Sequence, residues 1–178
     1  MLSESYLHSL SPFIFQITDS IGLRWYGFAY MLGFLVAWFI LIKLSENKTL
    51  KLNKNQVGDF VLSSIIGVIV GGRIGYVLFY KPELFITFEN TFPFWEALSI
   101  HKGGMSSHGG IIGVFLTMVF WSKKNKIKIT NIMDAGTYSA IPGLFFGRIA
   151  NFINGELWGR QLPDELQKTP PWWSIKYP

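Results

Sequence analysis

Long apolar runs alternate with short polar segments along this 178-residue chain. Residues 25–42, WYGFAYMLGFLVAWFILI, carry no charge and are long enough to cross a hydrocarbon core about 30 Å thick. Further apolar stretches cover residues 60–80, 104–121 and 135–152, and the last two are short and rich in glycine. The pattern predicts an all-α, multi-pass membrane bundle with about four transmembrane helices, forming a single membrane-embedded domain over residues 1–178.

Composition supports a membrane protein and excludes several kinds of chemistry. Hydrophobic residues make up 49% of the chain and charged residues only 15%, against about 25% in a typical soluble domain. The chain has no cysteine, which excludes disulfides, thiolate metal sites and a cysteine nucleophile. Its net charge of +5 comes with lysines in two short clusters rather than in a stripe interleaved with aromatic residues. We therefore expect the charge to set membrane topology and not to bind nucleic acid.

The positions of the lysines predict an orientation. One cluster lies between the first two spans and the other between the last two: Lys43, Lys48, Lys51 and Lys54, then Lys123, Lys124, Lys126 and Lys128. By the positive-inside rule both loops are cytoplasmic, which places the N-terminus outside. The N-terminal residues lack the basic start of a cleaved signal peptide, so the first span is expected to remain. The acidic, aromatic segment 81–102 is then expected to form an arm lying on the outer membrane surface.

Unusual polar residues fall toward the predicted outer side of these spans. They are Tyr26, Arg73, His108, Arg148, Asn151, Asn154 and Glu156. None of the four arginines of the chain lies in a lysine-rich loop. Because the planar guanidinium can hold a phosphate through two hydrogen bonds, this division favours an anionic headgroup site.

Each of these residues also has a structural interpretation. Arg148 and Arg160 could snorkel to the headgroups, and Arg73 could pair with Glu156 or with a backbone carbonyl. His108 could cap a helix, Tyr26 could sit in an interfacial aromatic belt, and the asparagines could bridge helices. For the whole chain, a transporter or channel that uses intramembrane arginine and histidine, and a scaffold packed by small residues, remain alternatives.

Four strings together resemble the motifs of a known family. They are RWYG (24–27), GGRIGYVLFY (71–80), GGMSSHGGIIG (103–113) and GRIANFINGELWGR (147–160). In this order they are similar to prolipoprotein diacylglyceryl transferases, enzymes of the bacterial cytoplasmic (inner) membrane. The resemblance implies transfer of the diacylglyceryl group of phosphatidylglycerol to the lipobox cysteine thiol of exported prolipoproteins, the first step of lipoprotein maturation. It implies an active site toward the outer leaflet and no metal or other cofactor.

The resemblance also implies roles for individual residues. The essential histidine of the family falls on His108 and the signature arginine, which contacts the lipid phosphate, on Arg148. The signature asparagine, glutamate and glycine fall on Asn151, Glu156 and Gly159, and the tyrosine of the first helix on Tyr26. Arg73 is a further expected substrate-binding residue. Similar proteins carry a second essential arginine and another functional tyrosine further on, which predicts either a fragment of a longer reading frame or a truncated, inactive form.

The reaction explains why a histidine and an arginine are needed. A free cysteine thiol has a pKa near 8.5, so little of it is thiolate at neutral pH, and a base is required. We expect His108 to accept the thiol proton, directly or through a water. We expect Arg148 to neutralise the charge that grows on the departing phosphate.

Overall fold

The computed structural model describes residues 5–16, 22–90 and 92–178, and this part of the chain is mostly helical. The α-helices are α1 (Trp25–Glu46), α2 (Lys54–Phe79), α3 (Ser107–Asn125), α4 (Ile129–Ile153) and the short α5 (Asp164–Gln167). Three short 3-10 helices, Pro82–Phe85, Glu96–Leu98 and Ile100–Lys102, lie between α2 and α3. The strands are β1 (Tyr6–Leu7), β2 (Phe13–Gln16), β3 (Gly22–Arg24) and β4 (Ile175–Lys176). A helix therefore forms at each of the four predicted spans.

The helix boundaries differ from the ends of the apolar runs because polar residues cap the helices. The second helix begins at Lys54 instead of residue 60: the Asn53 side chain accepts a hydrogen bond from the Gln56 backbone N–H, and the Gln56 side chain accepts one from Asn53. This reciprocal capping box satisfies two backbone donors at the helix start. The third helix begins at Ser107 instead of residue 104, with Ser106 as its N-cap, and ends where Lys126 turns left-handed at φ 56°. Hydropathy alone does not register such caps.

Two helices are long and apolar enough to cross a membrane among the residues that the structure describes, namely α1 and α2. Only 22% and 28% of their most apolar stretches are buried within the protein. The core helix of a soluble protein would bury its apolar side chains, whereas these helices present most of them outward, as lipid-facing helices do. The crossing of the membrane by α3 and α4 stays a prediction.

The chain divides into two compact units. Unit 1 comprises Met1–Leu35 with Ile141–Pro178, and unit 2 comprises Val36–Ala140. The hydrophobic core of unit 2 lies near the lysine-rich loops, where Phe60 and Trp121 meet edge to face with ring centroids 5.6 Å apart. The remaining buried members of this core are Leu41, Leu50, Leu52, Val57, Val61, Ile132 and Ala135.

In unit 2, α2 and α3 pack backbone against backbone. A Cβ atom added at Gly71 would lie 2.7 Å from the Cα atom of Gly113, and one added at Gly75 would lie 2.7 Å from that of Gly109. Small residues spaced four apart let two helices approach this closely, a common arrangement in membrane proteins. The glycines therefore fix how the first turn of α3 lies on α2.

In unit 1, two small sheets join segments that the sequence analysis left without structure. Strand β1 pairs in parallel with β4 at the other end of the chain, with Tyr6 opposite Ile175. Strands β2 and β3 form an antiparallel pair, and residues 17–21 between them lie outside the described residues. The all-α prediction is thus right for the main elements and missed these sheets, since strands of two to four residues carry too little alternation to be recognised.

Candidate active site

The last of the four strings, GRIANFINGELWGR (147–160), is called the signature string, and it ends α4 in a tight turn within unit 1. After Ile153 the chain turns through Gly155 at φ 66° and Leu157 at φ 51°. The Glu156 backbone N–H donates to the Asn151 carbonyl oxygen at 2.9 Å, which closes the turn. A left-handed glycine after the last helical residues is a common way to end a helix. The turn directs the Glu156 side chain back toward the end of α4.

Tyr26, Asn151 and Glu156 come together in this unit. The Tyr26 hydroxyl donates a hydrogen bond to Glu156 Oε2 at 2.6 Å, and it also contacts the side-chain amide of Asn151. Tyr26 is half-buried at the start of α1, Asn151 lies in the last turn of α4, and Glu156 is exposed. The structure thus joins three of the residues that the sequence marked as candidates.

Arg148 lies on α4 one turn before Asn151. Residues three apart are neighbours on a helix surface, so the two side chains share a face of α4. The Arg148 side chain is exposed and, within the described residues, its guanidinium makes no hydrogen bond or ion pair. Its five N–H donors are therefore available to an external acceptor.

His108 lies in unit 2, in the first turn of α3. Ser106 caps this helix: its hydroxyl accepts a hydrogen bond from the Gly109 backbone N–H at 3.2 Å, and its own N–H donates to the Gly72 carbonyl at 2.9 Å. Gly109 and Gly110 are buried, whereas the His108 side chain is exposed. The cap and the glycine contacts fix the backbone of this turn and leave the imidazole accessible.

Arg73, the remaining candidate arginine, is occupied inside unit 2. It is 6% exposed, and its guanidinium donates four hydrogen bonds to backbone carbonyls of the segment before α3. Nε donates to Ala97 at 2.7 Å, Nη2 to Glu96 at 2.7 Å, and Nη1 to Gly103 and Gly104 at 2.7 and 3.0 Å. Pairing with backbone carbonyls, one of the interpretations of this residue, is what the structure shows, and the role of Arg73 in substrate binding stays a prediction.

Gly159 is exposed, and a Cβ atom added there would meet nothing within 4 Å. Neither packing nor backbone conformation explains a glycine at this position, and its substrate-binding role stays a prediction. No group of three or more metal-ligating side chains is found among residues 5–16, 22–90 and 92–178.

His8 is a buried residue of this region that the sequence analysis missed. Its Nε2 atom lies 2.7 Å from the Phe152 carbonyl oxygen, and its ring lies against Phe152 and Tyr177. Because a carbonyl only accepts, Nε2 carries the proton and donates it. The β1–β4 pair thus holds His8 against the end of α4, where the signature string turns. The signal was a histidine between Leu7 and Ser9 near the N-terminus, which is too common a pattern to single out without the fold.

Apolar helices with mostly outward-facing side chains, and polar residues collected at helix ends, define a helical membrane protein with a polar site. The sequence model of the prolipoprotein diacylglyceryl transferase family matches residues 12–174. The chain belongs to this family.

Relatives named phosphatidylglycerol–prolipoprotein diacylglyceryl transferase are similar to most of the chain. The protein from Bdellovibrio bacteriovorus is 44% identical over 154 residues, which cover 86% of this chain and 44% of the relative. The protein from Sinorhizobium medicae is 40% identical over 175 residues, 95% of this chain and 58% of the relative. The Rickettsia bellii protein is 41% identical over 152 residues, which cover 85% of this chain and 56% of the relative. The chain spans about half the length of the curated relatives it matches.

Proposed function

We propose that this chain carries catalytic residues for the transfer of a diacylglyceryl group from phosphatidylglycerol to the lipobox cysteine thiol of an exported prolipoprotein. The names of the relatives support the two substrates, a phosphatidylglycerol and a prolipoprotein. In the reaction, the cysteine sulfur bonds to the glyceryl carbon that carries the phosphate, and the carbon–oxygen bond to the phosphate breaks. The bonding electrons leave with glycerol phosphate, and the thiol proton is taken by a base.

The observation that carries this proposal is the contrast between the two arginines. The guanidinium of Arg148 is exposed and unengaged within the described residues, whereas that of Arg73 already donates four hydrogen bonds. A bidentate arginine–phosphate pair needs two free, parallel N–H groups. Arg148 would bind the phosphate of phosphatidylglycerol and stabilise the charge that develops as it departs.

The neighbours of Arg148 would shape the lipid site. The Tyr26–Glu156 hydrogen bond holds the glutamate in place beside the end of α4, and Asn151 shares the helix face of Arg148. In this position the carboxylate can accept hydrogen bonds from the glycerol hydroxyls of the headgroup, and the amide can both accept and donate them. Gly159 would let lipid approach the backbone closely, because it has no side chain and open space around it.

His108 would act as the base toward the thiol. Its imidazole is exposed on a turn whose backbone is fixed by the Ser106 cap. A neutral imidazole accepts a proton near physiological pH, and such general-base help accelerates reactions by about 10²–10⁴. The signal peptide of the prolipoprotein would bring its cysteine to this turn from the surrounding membrane lipid.

The membrane arrangement belongs to the same proposal. All four long helices would cross the bacterial inner membrane within one membrane-embedded domain, with the N-terminus outside and the active site toward the outer leaflet. The lysine clusters support this orientation. The segment after α2 would be an arm on the outer surface: Ile86, Phe88 and Phe92 are 81%, 72% and 82% exposed, which suits contact with lipid.

A transfer assay with labelled phosphatidylglycerol and a lipobox peptide tests the function. We expect label on the peptide in membranes of cells that express the natural gene, and none when the peptide cysteine is replaced by serine. The 178-residue chain is assayed in parallel to learn whether it suffices. Solute or ion flux through vesicles containing the protein, without label transfer, would instead support the transporter alternative.

A further inference from the structure

Arg73 is a buried, charged residue whose guanidinium binds backbone carbonyls. A guanidinium removed from water needs strong compensation, and charge-assisted hydrogen bonds to carbonyl oxygens provide it. Four of its five N–H groups are used in this way. Among the described residues, no carboxylate lies within ion-pair distance of this guanidinium. Such an arrangement stabilises one conformation of the backbone that supplies the acceptors.

The four acceptors bracket one segment. Glu96 and Ala97 lie at its beginning, and Gly103 and Gly104 lie at its end, where Gly104 is two residues before the N-cap of α3. Gly103 and Gly104 have φ angles of 86° and 83°, in the left-handed region, which turns their carbonyls toward Arg73. A single side chain therefore closes residues 96–104 into a loop against α2.

The contacts continue directly into the turn that carries His108. The carbonyl of Gly72, the residue before Arg73, accepts the hydrogen bond of the Ser106 backbone N–H. Ser106 in turn caps α3 two residues before His108. The exposed ion pairs of Lys102 with Glu89 and Glu96 also lie in this region, but water and salt screen such pairs. The buried arginine supplies the stronger constraint.

We infer that Arg73 is a positioning residue: its guanidinium fastens residues 96–104 to α2 and thereby orients the first turn of α3, which presents His108 to the thiol. It acts through backbone and makes no bond to the lipid phosphate. This inference rests on the proposed function for its kinetic consequence but not for its structural one. The two are therefore measured separately.

The structural test is amide hydrogen exchange in Arg73→Lys, which keeps the charge but loses the planar fork of donors. We expect exchange in residues 96–106 to speed up by about tenfold or more, because local opening becomes easier, while residues 57–65 of α2 stay protected. The matched control is Arg24→Lys, which changes an exposed arginine whose guanidinium lies over the Phe13 ring. Unchanged exchange in residues 96–106 would overturn the inference, whether or not the protein transfers lipid.

The kinetic test separates positioning from phosphate binding. For Arg73→Lys we expect kcat to fall by about tenfold or more, with KM for phosphatidylglycerol within about twofold of the parent. A guanidinium that binds the lipid phosphate predicts a large rise in KM for phosphatidylglycerol, whether or not kcat also falls, and that result would overturn the inference.

A second variant approaches the same contact from the loop, in case Arg73→Lys does not fold. A Cβ atom at Gly103 would meet nothing within 4 Å, so Gly103→Ala strains only the backbone that aims its carbonyl at Arg73. We expect the same faster exchange in residues 96–106 and the same fall in kcat. Normal exchange and normal kcat in Gly103→Ala would contradict the inference independently of Arg73.

Discussion

The Tyr26 hydroxyl donates a hydrogen bond to the Glu156 carboxylate at 2.6 Å, joining the start of α1 to a turn 130 residues further along the chain. The bond links two motifs of the family, RWYG and the signature string, which the sequence alone shows only as separate strings. A hydrogen bond to a charged group is worth about 1.5–3 kcal/mol. It therefore contributes to the geometry of the turn and to its stability.

Tyr26→Phe should lower transfer by about tenfold or more, since it releases Glu156 and disturbs Asn151 beside it. Tyr30→Phe is the matched control, because Tyr30 stacks on Tyr26 but is itself exposed. If the hydrogen bond carries the effect, Tyr26→Phe combined with Glu156→Gln should be no worse than the more damaging single change. Fully additive losses in the transfer assay would indicate separate roles for the two residues.

Arg148→Lys should reduce transfer sharply while membrane insertion and expression hold. Lysine keeps the positive charge but lacks the two parallel donors that match a phosphate. We expect a loss of about a hundredfold in kcat/KM, the size seen when a donor to a developing oxyanion is removed. Arg24→Lys, another exposed arginine, serves as the control. Near-normal transfer by Arg148→Lys would instead support snorkelling.

The glycine contacts between α2 and α3 make a stability prediction. In Gly71→Ala the new methyl group would overlap the Gly109 carbonyl oxygen and lie 2.7 Å from the Gly113 Cα atom. Overpacking of this kind typically costs about 1–3 kcal/mol, so thermal unfolding in detergent should begin several degrees lower. At Gly58, on the same helix, a Cβ atom meets nothing within 4 Å, and Gly58→Ala should be neutral or stabilising by up to about 1 kcal/mol. Equal melting temperatures for the two variants would show that the close packing of α2 and α3 does not limit the stability of the protein.

The sequence predicted the helices well because an apolar run long enough to span a membrane rarely forms anything other than a helix. It predicted the start of α1 at Trp25 but not the starts of α2 and α3, which depend on caps such as Asn53 with Gln56. It also could not show that Arg73 is occupied, since its acceptors are backbone carbonyls, which every residue has. The contacts of His8 with Phe152 and Tyr177 join distant parts of the chain, and no local pattern encodes them.

The orientation predicts which positions an impermeant thiol reagent can reach from outside the cell. The chain has no cysteine of its own, so single cysteines give clean signals. We expect Glu89→Cys, in the proposed arm, to react, and Lys48→Cys and Lys124→Cys to react only after the membrane is permeabilised. Labelling of Lys48→Cys in intact cells would overturn the orientation and the outer-leaflet site with it.

The pH dependence of transfer tests His108 as the base. A histidine accepts a proton only when its ring is neutral, so transfer to a lipobox peptide should rise with pH. His108→Gln keeps some hydrogen bonding but cannot take the proton, and we expect its rate to fall by about 10²–10⁴ at neutral pH. At high pH the peptide thiol ionises without help, because a free thiol has a pKa near 8.5. As pH rises, the transfer rate of His108→Gln should therefore increase by a larger factor than the transfer rate of the parent. If His108 is only structural, the transfer rates of the two proteins should depend on pH in the same way. That result would show that His108 is not the base and would favour a role in orienting the lipid.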